Sequence, residues 1–496
     1  MSTTAPNILI FMTDQQRGST ILPEHLAKTP HLDRFLAEGL LFDNTRCPSP
    51  HCCPSRATFF TGLYPTEHGV WNNVSVQNAH SRGLNEGVQL WSERLVEAGY
   101  RCAFSGKWHV DFDRAPRDFG WEELRVTAGT VKDGCGWMGP DWEAYRGGHG
   151  RESADERADG QVLRPGYGDY QHYGSNENPF GDREVVDAGL ASLRQMAGGE
   201  KPWCLYVGTL GPHDPYVPPQ RFIDMYRDVD IPLPDNFDDP MTDKPALYRR
   251  TRGPFDQLSR EEHRESIRRY LAFCSYQDAL FGEVLAELER SDQADNTLVI
   301  YTSDHGDYLG EHGLWCKGLP NFRGAYEVPL AMRWPAGLQE PGRRCDAKVG
   351  LEDLARTLLE VTGNAAAVDW PGSGRSLLPF IHNQEPASWR NAFFTQTNGN
   401  ELYGIQRSID TGEWKYTYNG FDDDELYDLR KDPGEVHNLA ADPQYAGQVQ
   451  ELCARMWAFA YEHQDQCINP YVMVALAPVG PGAAFDSQGR PIASGG

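Results

Sequence analysis

The run NILIFMTD, residues 7–14, stays apolar from Ile8 to Met12 and ends in a carboxylate. A strand with one wet face alternates apolar and polar residues. An uninterrupted run therefore reads as a central strand buried on both faces, with Asp14 where the backbone emerges. The next segment, TPHLDRFLAEG (residues 29–39), changes period. Thr29 suits an N-cap, Pro30 the first turn and Gly39 the stop, and Leu32, Phe35 and Leu36 share one helical face. Helix then strand recurs in LWSERLVEAGY with RCAFSGKWH, in REVVDAGLASLRQMA with WCLYVGTLGPHDP, and in a long helix near 261–290 with TLVIYTSDHG. A chain that keeps returning from helix to apolar strand predicts an α/β fold class, with a mixed, mostly parallel sheet between helices.

At 496 residues the chain is too long for one small core, so a large domain with a smaller companion is expected. The pattern places the α/β domain at 1–385. Residues 130–182, rich in Gly, Trp, Tyr and charge without a regular period, read as an insertion that serves as a lid or as a surface elaboration. From 386 to 469 short strands around a Thr411-Gly412 turn, then a closing helix, predict a C-terminal α+β subdomain of antiparallel sheet and helix. The tail, 470–496, reads as an arm through which a homo-oligomer could form. A net charge of -25 offers no field for nucleic acid or an anionic membrane, and no apolar run approaches a bilayer span. The first ten residues lack a charged n-region and a cleavage site, which predicts a cytoplasmic protein. Eleven cysteines without metal-finger spacing fit buried thiols in a reducing compartment.

In open parallel sheets ligands bind beyond the carboxyl ends of the strands. The strands end in Asp14 and Gln15, Lys107 and His109, His213 and Asp214, and Asp304 and His305. Any one strand end is polar where it meets water, but four together suggest a site. Asp14, Asp304 and His305 could ligate one divalent cation: carboxylates suit calcium or magnesium, and an imidazole moves the balance toward manganese or zinc. Lys107, His109, His213 and Lys317 add positive charge and proton donors for a compact oxyanion on a leaving oxygen.

The segment HCCPSRATFFTG (residues 51–62) sets two cysteines on a loop before a helix whose positive end favours an anion. Cys52, Pro54, Ser55 and Arg56 form Cys-x-Pro-Ser-Arg, running on to Thr61-Gly62. Here the chain resembles the sulfatases of the alkaline-phosphatase-like superfamily. NILIFMTDQQ resembles that family's first metal strand, GKWH its Lys-x-His pair, GPHDPY its leaving-group histidine, TSDHGDYLGEHGLWCKG its second metal segment and lysine, and ELYDLRKDPGEVHNLA its carboxy-terminal signature. The resemblance implies an alkaline-phosphatase-like fold and conversion of Cys52 to formylglycine by a formylglycine-generating enzyme. Cys53, one place before Pro54, is in the wrong register and reads as a packing thiol.

The implied metal ligands are Asp14, Gln15, Cys52, Asp304 and His305, around one divalent cation, calcium first, with manganese or magnesium as alternatives. The implied substrate is a sulfate ester. Arg56 would stabilise the nucleophile, Lys107 and Lys317 would hold sulfate oxygens, His213 would assist the leaving alcohol, and His109 would draw the proton that releases sulfate. Asn73, in HGVWNN, is a candidate for contacting sulfate or a turn residue. Many arylsulfatases carry Asp-Asp and Asp-Asn where this chain has Asp14-Gln15 and Asp304-His305, a variant that also resembles choline sulfatases and phosphonate monoester hydrolases. A phosphonate or phosphate ester hydrolase is therefore the alternative, against which the Lys107-x-His109 pair argues. A non-catalytic binder of sulfated ligands with unmodified Cys52 is the third reading. The alcohol stays open among aryl, sugar and choline esters.

Overall fold

The strand Asn7–Thr13, β1, is buried along its whole length. Its alternating side chains feed two different cores: Ile8, Ile10 and Met12 enter one, Leu9 and Phe11 the other. Each such side chain, taken fully out of water, contributes about 1.5–3 kcal/mol. The computed structural model describes residues 5–76, 79–128, 157–163, 170–400, 402–466 and 479–480. In chain order the remaining strands of the first part are β2 (Leu40–Phe42), β3 (Thr45–Arg46), β4 (Arg101–Lys107), β5 (Glu122–Thr127), β6 (Trp203–Gly208), β7 (Thr297–Ser303), β8 (Leu330–Arg333), β9 (Arg343–Cys345) and β10 (Val349–Gly350). The main sheet runs β5-β4-β6-β1-β7-β8-β2-β9, and β3 pairs with β10 beside it. Every pairing in the main sheet is parallel except those of β8, which runs against β7 and β2.

Helices cover both faces, as the alternation predicts. One face carries the Cys52–Thr61, Trp91–Glu97 and Asp353–Val361 helices, and the other carries Pro30–Ala37, Asp182–Ala197 and Arg260–Arg290. Two local expectations change. Thr29 makes no side-chain cap; the carboxylate of Asp278, on the long helix, accepts from the His31 and Leu32 N–H groups and satisfies that helix end from across the core. The second change concerns the paired cysteines: they lie inside the first turn of the Cys52–Thr61 helix rather than on an exposed loop, and both are buried.

The C-terminal part is an antiparallel sheet of β11 (Phe393–Gly399), β12 (Tyr403–Asp410), β13 (Trp414–Asn419) and β14 (Glu425–Asp428). Its core joins Ile409, Tyr416 and Leu426 to Leu452, Met456 and Trp457 of the Ala446–Glu462 helix. The Thr411-Gly412 turn forms, with Thr411 N–H donating to the Trp414 carbonyl and Gly412 at a φ of 86° that a side chain would strain. Most of the 130–182 insertion and of the 470–496 tail lies outside the described residues. Among the described residues nine cysteines are free, all but Cys345 buried, and no helix is long and apolar enough to cross a membrane.

Candidate active site

Register brings the acids together. β1 pairs with β7 from Asn7 opposite Thr297 to Thr13 opposite Ser303, so the next residues, Asp14 and Asp304, emerge side by side. β4 ends in Lys107, two strands from β1 through β6. Gly106 must be glycine here: at a φ of 115°, a Cβ would fall 1.8 Å from the Gly208 carbonyl oxygen. The Cys52–Thr61 helix starts against these ends and delivers the sulfur of Cys52.

Asp14, Cys52, Asp304 and His305 are all buried, and their ligand atoms lie within 4.8 Å of one another. Cys52 Sγ is 3.3 Å from His305 Nε2 and 3.9 Å from Asp14 Oδ1, and His305 Nε2 is 3.6 Å and 3.8 Å from the Asp14 and Asp304 carboxylates. Donors about 2.3–2.6 Å from a calcium ion stand roughly 3.3–3.7 Å apart when at right angles. The four groups therefore fit a shared divalent cation in spacing as well as in donor chemistry.

Arg56 lies one helical turn beyond Cys52 and is fully buried. Its Nε donates to Asp304 at 2.9 Å, one terminal nitrogen donates to Asp14 at 3.0 Å, and the other reaches the Lys107 carbonyl and the Tyr206 hydroxyl. Arg56 thus sits behind the acids and fixes both carboxylates; removing one partner of such a buried set costs about 3–5 kcal/mol. Lys107 Nζ donates to Asp14 at 2.5 Å. Burial and the nearby Cys52 push Asp14 upward, but Lys107, His213 and Arg56 overcome them and hold it well below the usual carboxylate range. Asp304 moves the other way, raised by burial and then by Asp14. Burial would also raise the Cys52 thiol, yet Lys107, Lys317 and His305 bring it well below its ordinary value. Position 52 is therefore a place for an anion.

The basic side closes over this cluster. Lys317 Nζ donates to Gln15 Oε1 and to His213 Nε2, each at 2.6 Å, and His213 Nδ1 is 3.3 Å from the Asp214 carboxylate. His109 Nε2 is 3.1 Å from Ser75 Oγ. Burial, with Lys107, lowers the His109 pKa and favours its neutral form. Asn73 is engaged with the nucleophile-bearing helix: its Oδ1 accepts from Cys53 N–H at 3.1 Å, while its own N–H donates to Asn400 Oδ1 at 3.0 Å.

Asp14, Gln15, Cys52, Arg56, Lys107, His109, His213, Asp304, His305 and Lys317 thus gather at the strand ends, whereas Asn73 lies on the Cys53 side of the helix start. Tyr206, Asp307, Ser75 and Asn400 also take part and were not singled out. Tyr206 was hidden in the apolar run of β6, and Asn400 in a distant subdomain. Asp307, two residues beyond His305 in SDHGD, was the one visible signal.

Among solved structures, the phosphonate monoester hydrolase of Agrobacterium radiobacter has the same fold, with a TM-score of 0.74 at 22% identity over 93% of this chain and 96% of that one. Together with the sequence matches that follow, fold and site define a member of the alkaline-phosphatase-like superfamily. Two family models narrow the class: the sulfatase model matches residues 6–364, and the C-terminal model of N-sulphoglucosamine sulphohydrolase matches residues 310–462. The chain belongs to the sulfatase family and is a sulfuric ester hydrolase. It is 32% identical over 464 residues to choline-sulfatase of Rhizobium meliloti (strain 1021), covering 89% of this chain and 84% of that protein. It is 28% identical over 521 residues to the multifunctional alkaline phosphatase superfamily protein PehA of Trinickia caryophylli, covering 94% and 98%.

Proposed function

We propose that the chain cleaves sulfate monoesters with position 52 matured from cysteine to formylglycine and with one divalent cation, calcium first, held by Asp14, Asp304 and His305 beside Gln15. The carrying observation is that Cys52 Sγ shares one buried cluster with those three ligands, while Lys107 and Lys317 lie close enough to hold its thiol well below its ordinary pKa. When bound, the cation supplies positive charge to the sulfate oxygens, and a hydrated formylglycine supplies one hydroxyl for attack and a second whose proton must leave. Lys107 and Lys317 bring two ammonium groups to the face where the sulfate oxygens gain charge. Arg56 holds the two carboxylates apart and aimed forward. To His213, whose Nε2 is 2.6 Å from the Lys317 ammonium, we assign proton delivery to the leaving oxygen, with Lys317 as the source of the proton. His109, neutral beside position 52, takes the proton there.

Peptide mass spectrometry across His51–Arg56, on protein made beside a formylglycine-generating enzyme, is expected to find the aldehyde at 52 and thiol at 53. The same preparation is expected to hydrolyse sulfate esters, drawn from aryl, sugar and choline alcohols, faster than matched phosphate and phosphonate esters. Fully active protein with only thiol at 52 overturns the mechanism, and preferred phosphonate turnover overturns the substrate class.

A further inference from the structure

Gln15 carries an amide where either end could face the reaction centre, and the two ends are chemically opposite: the oxygen accepts, the nitrogen donates. Its surroundings allow one orientation. Asp307, fully buried, receives four hydrogen bonds: Leu309 N–H at 2.7 Å and Cys316 N–H at 3.1 Å on Oδ1, and Tyr216 hydroxyl at 2.6 Å and Gln15 Nε2 at 2.7 Å on Oδ2. The Leu309 and Cys316 N–H groups hold Oδ1 as an acceptor, which aims Oδ2 at Gln15, and on the other side the Lys317 ammonium can only donate, so the NH2 faces Asp307 and Oε1 faces Lys317, 2.6 Å away. Asp307 also holds Cys316, the residue before Lys317. One buried acid thus sets both partners of the Gln15–Lys317 contact. The Gln15 backbone is fixed as well, at a φ of 63°, with its N–H on Asp304 Oδ1 and its carbonyl accepting from Tyr270. Rotation of the amide is therefore the remaining freedom, and Asp307 removes it.

We propose that Asp307 is a positioning residue that selects the orientation of the Gln15 amide and thereby presents an oxygen, not an NH2, to Lys317 and the cation site.

The inference rests on the hydrolytic reading above for its kinetic arm only, and a polarity swap tests it. In D307N the introduced NH2 faces the Gln15 NH2, so the Gln15 amide must turn and set a donor against Lys317. In Q15E two carboxylates oppose each other. In Q15E/D307N the introduced amide at position 307 keeps its oxygen on the two backbone donors and turns its NH2 toward Tyr216 and the introduced carboxylate at position 15. That carboxylate again offers oxygen to Lys317. Each single variant is expected to lose about 10–100-fold in kcat/KM on a nitrophenyl sulfate, and D307N, which turns a donor toward the cation site, about tenfold or more in calcium affinity, measured by calorimetry with calcium alone. The double variant is expected to regain at least tenfold in both over D307N.

Q15E with wild-type activity overturns the proposal whether or not D307N folds. So does a double variant no better than either single one when thermal midpoints match wild type. Wild-type enzyme inactive on every sulfate ester would sink the hydrolytic reading alone, because the calcium measurement uses no ester.

Discussion

Cys52 and Cys53 share a helix turn, a peptide bond and full burial, yet their surroundings push them in opposite directions. Cys52 faces two carboxylates, two lysines and two histidines, and its thiol lies well below its ordinary pKa despite burial. Cys53 packs in the apolar core beneath the sheet; its sulfur accepts from Val74 N–H at 3.4 Å, and burial raises its pKa well above the ordinary value. The roughly 100° turn between successive helical residues separates the two environments. Angular position on the helix, rather than residue type, decides which thiol meets charge.

The comparison breaks first at the cysteines. Cys52→Ala is expected to reduce sulfate ester hydrolysis to background with the thermal midpoint retained, because it removes the group at the centre of the charges. Cys53→Ala is expected to keep kcat and to lose about 1 kcal/mol of stability for a small cavity in the core. Initial rates and denaturant unfolding of both variants decide it, and equal losses of rate would erase the distinction.

Two histidines sharpen it next, since both stand on the Cys52 side. His213→Ala is expected to slow esters of weakly acidic alcohols by about 10²–10⁴-fold and to affect nitrophenyl sulfate far less, because a good leaving group needs little protonation. His109→Ala is expected to release about one equivalent of alcohol per active site and then stall, a burst that rapid mixing measures. The same leaving-group dependence in both, without a burst, would reverse these roles.

The smallest expected effect lies on the Cys53 side. Asn73→Ala removes an acceptor from the Cys53 N–H at the helix start and is expected to cost about 1 kcal/mol of stability, read from the unfolding midpoint. A larger effect on rate than on stability would return Asn73 to a role in holding sulfate.

The fold was legible where burial is written locally. β1, β4, β6 and β7 were visible because strands covered on both faces must be apolar, and Asp14, Lys107 and Asp304 stood out because polarity resumes as each strand ends. The short strands β2 and β9, the last two at one end of the sheet, carry only three residues each, too few for a period. The partnership of Asp278 with the start of the Pro30–Ala37 helix, and that of Asn400 with Asn73, join residues far apart in the chain. No local pattern encodes them. The resemblance located Arg56, but the sequence could not show that it would sit behind both carboxylates, because that depends on the β1–β7 register.

The contact between Asn400 and Asn73 also bears on timing. Cys52 leaves the ribosome about 350 residues before Asn400, and at about 5–20 residues per second that interval is roughly 20–70 s. Throughout it β7, which walls one side of the cleft, or the C-terminal hairpin, which braces the Asn73 loop, is still being synthesised. In the finished protein the cysteine is 1% exposed. On the proposal that position 52 is matured, an enzyme that grasps the chain there has its opportunity during synthesis, and anything that hastens folding of the helix shortens it.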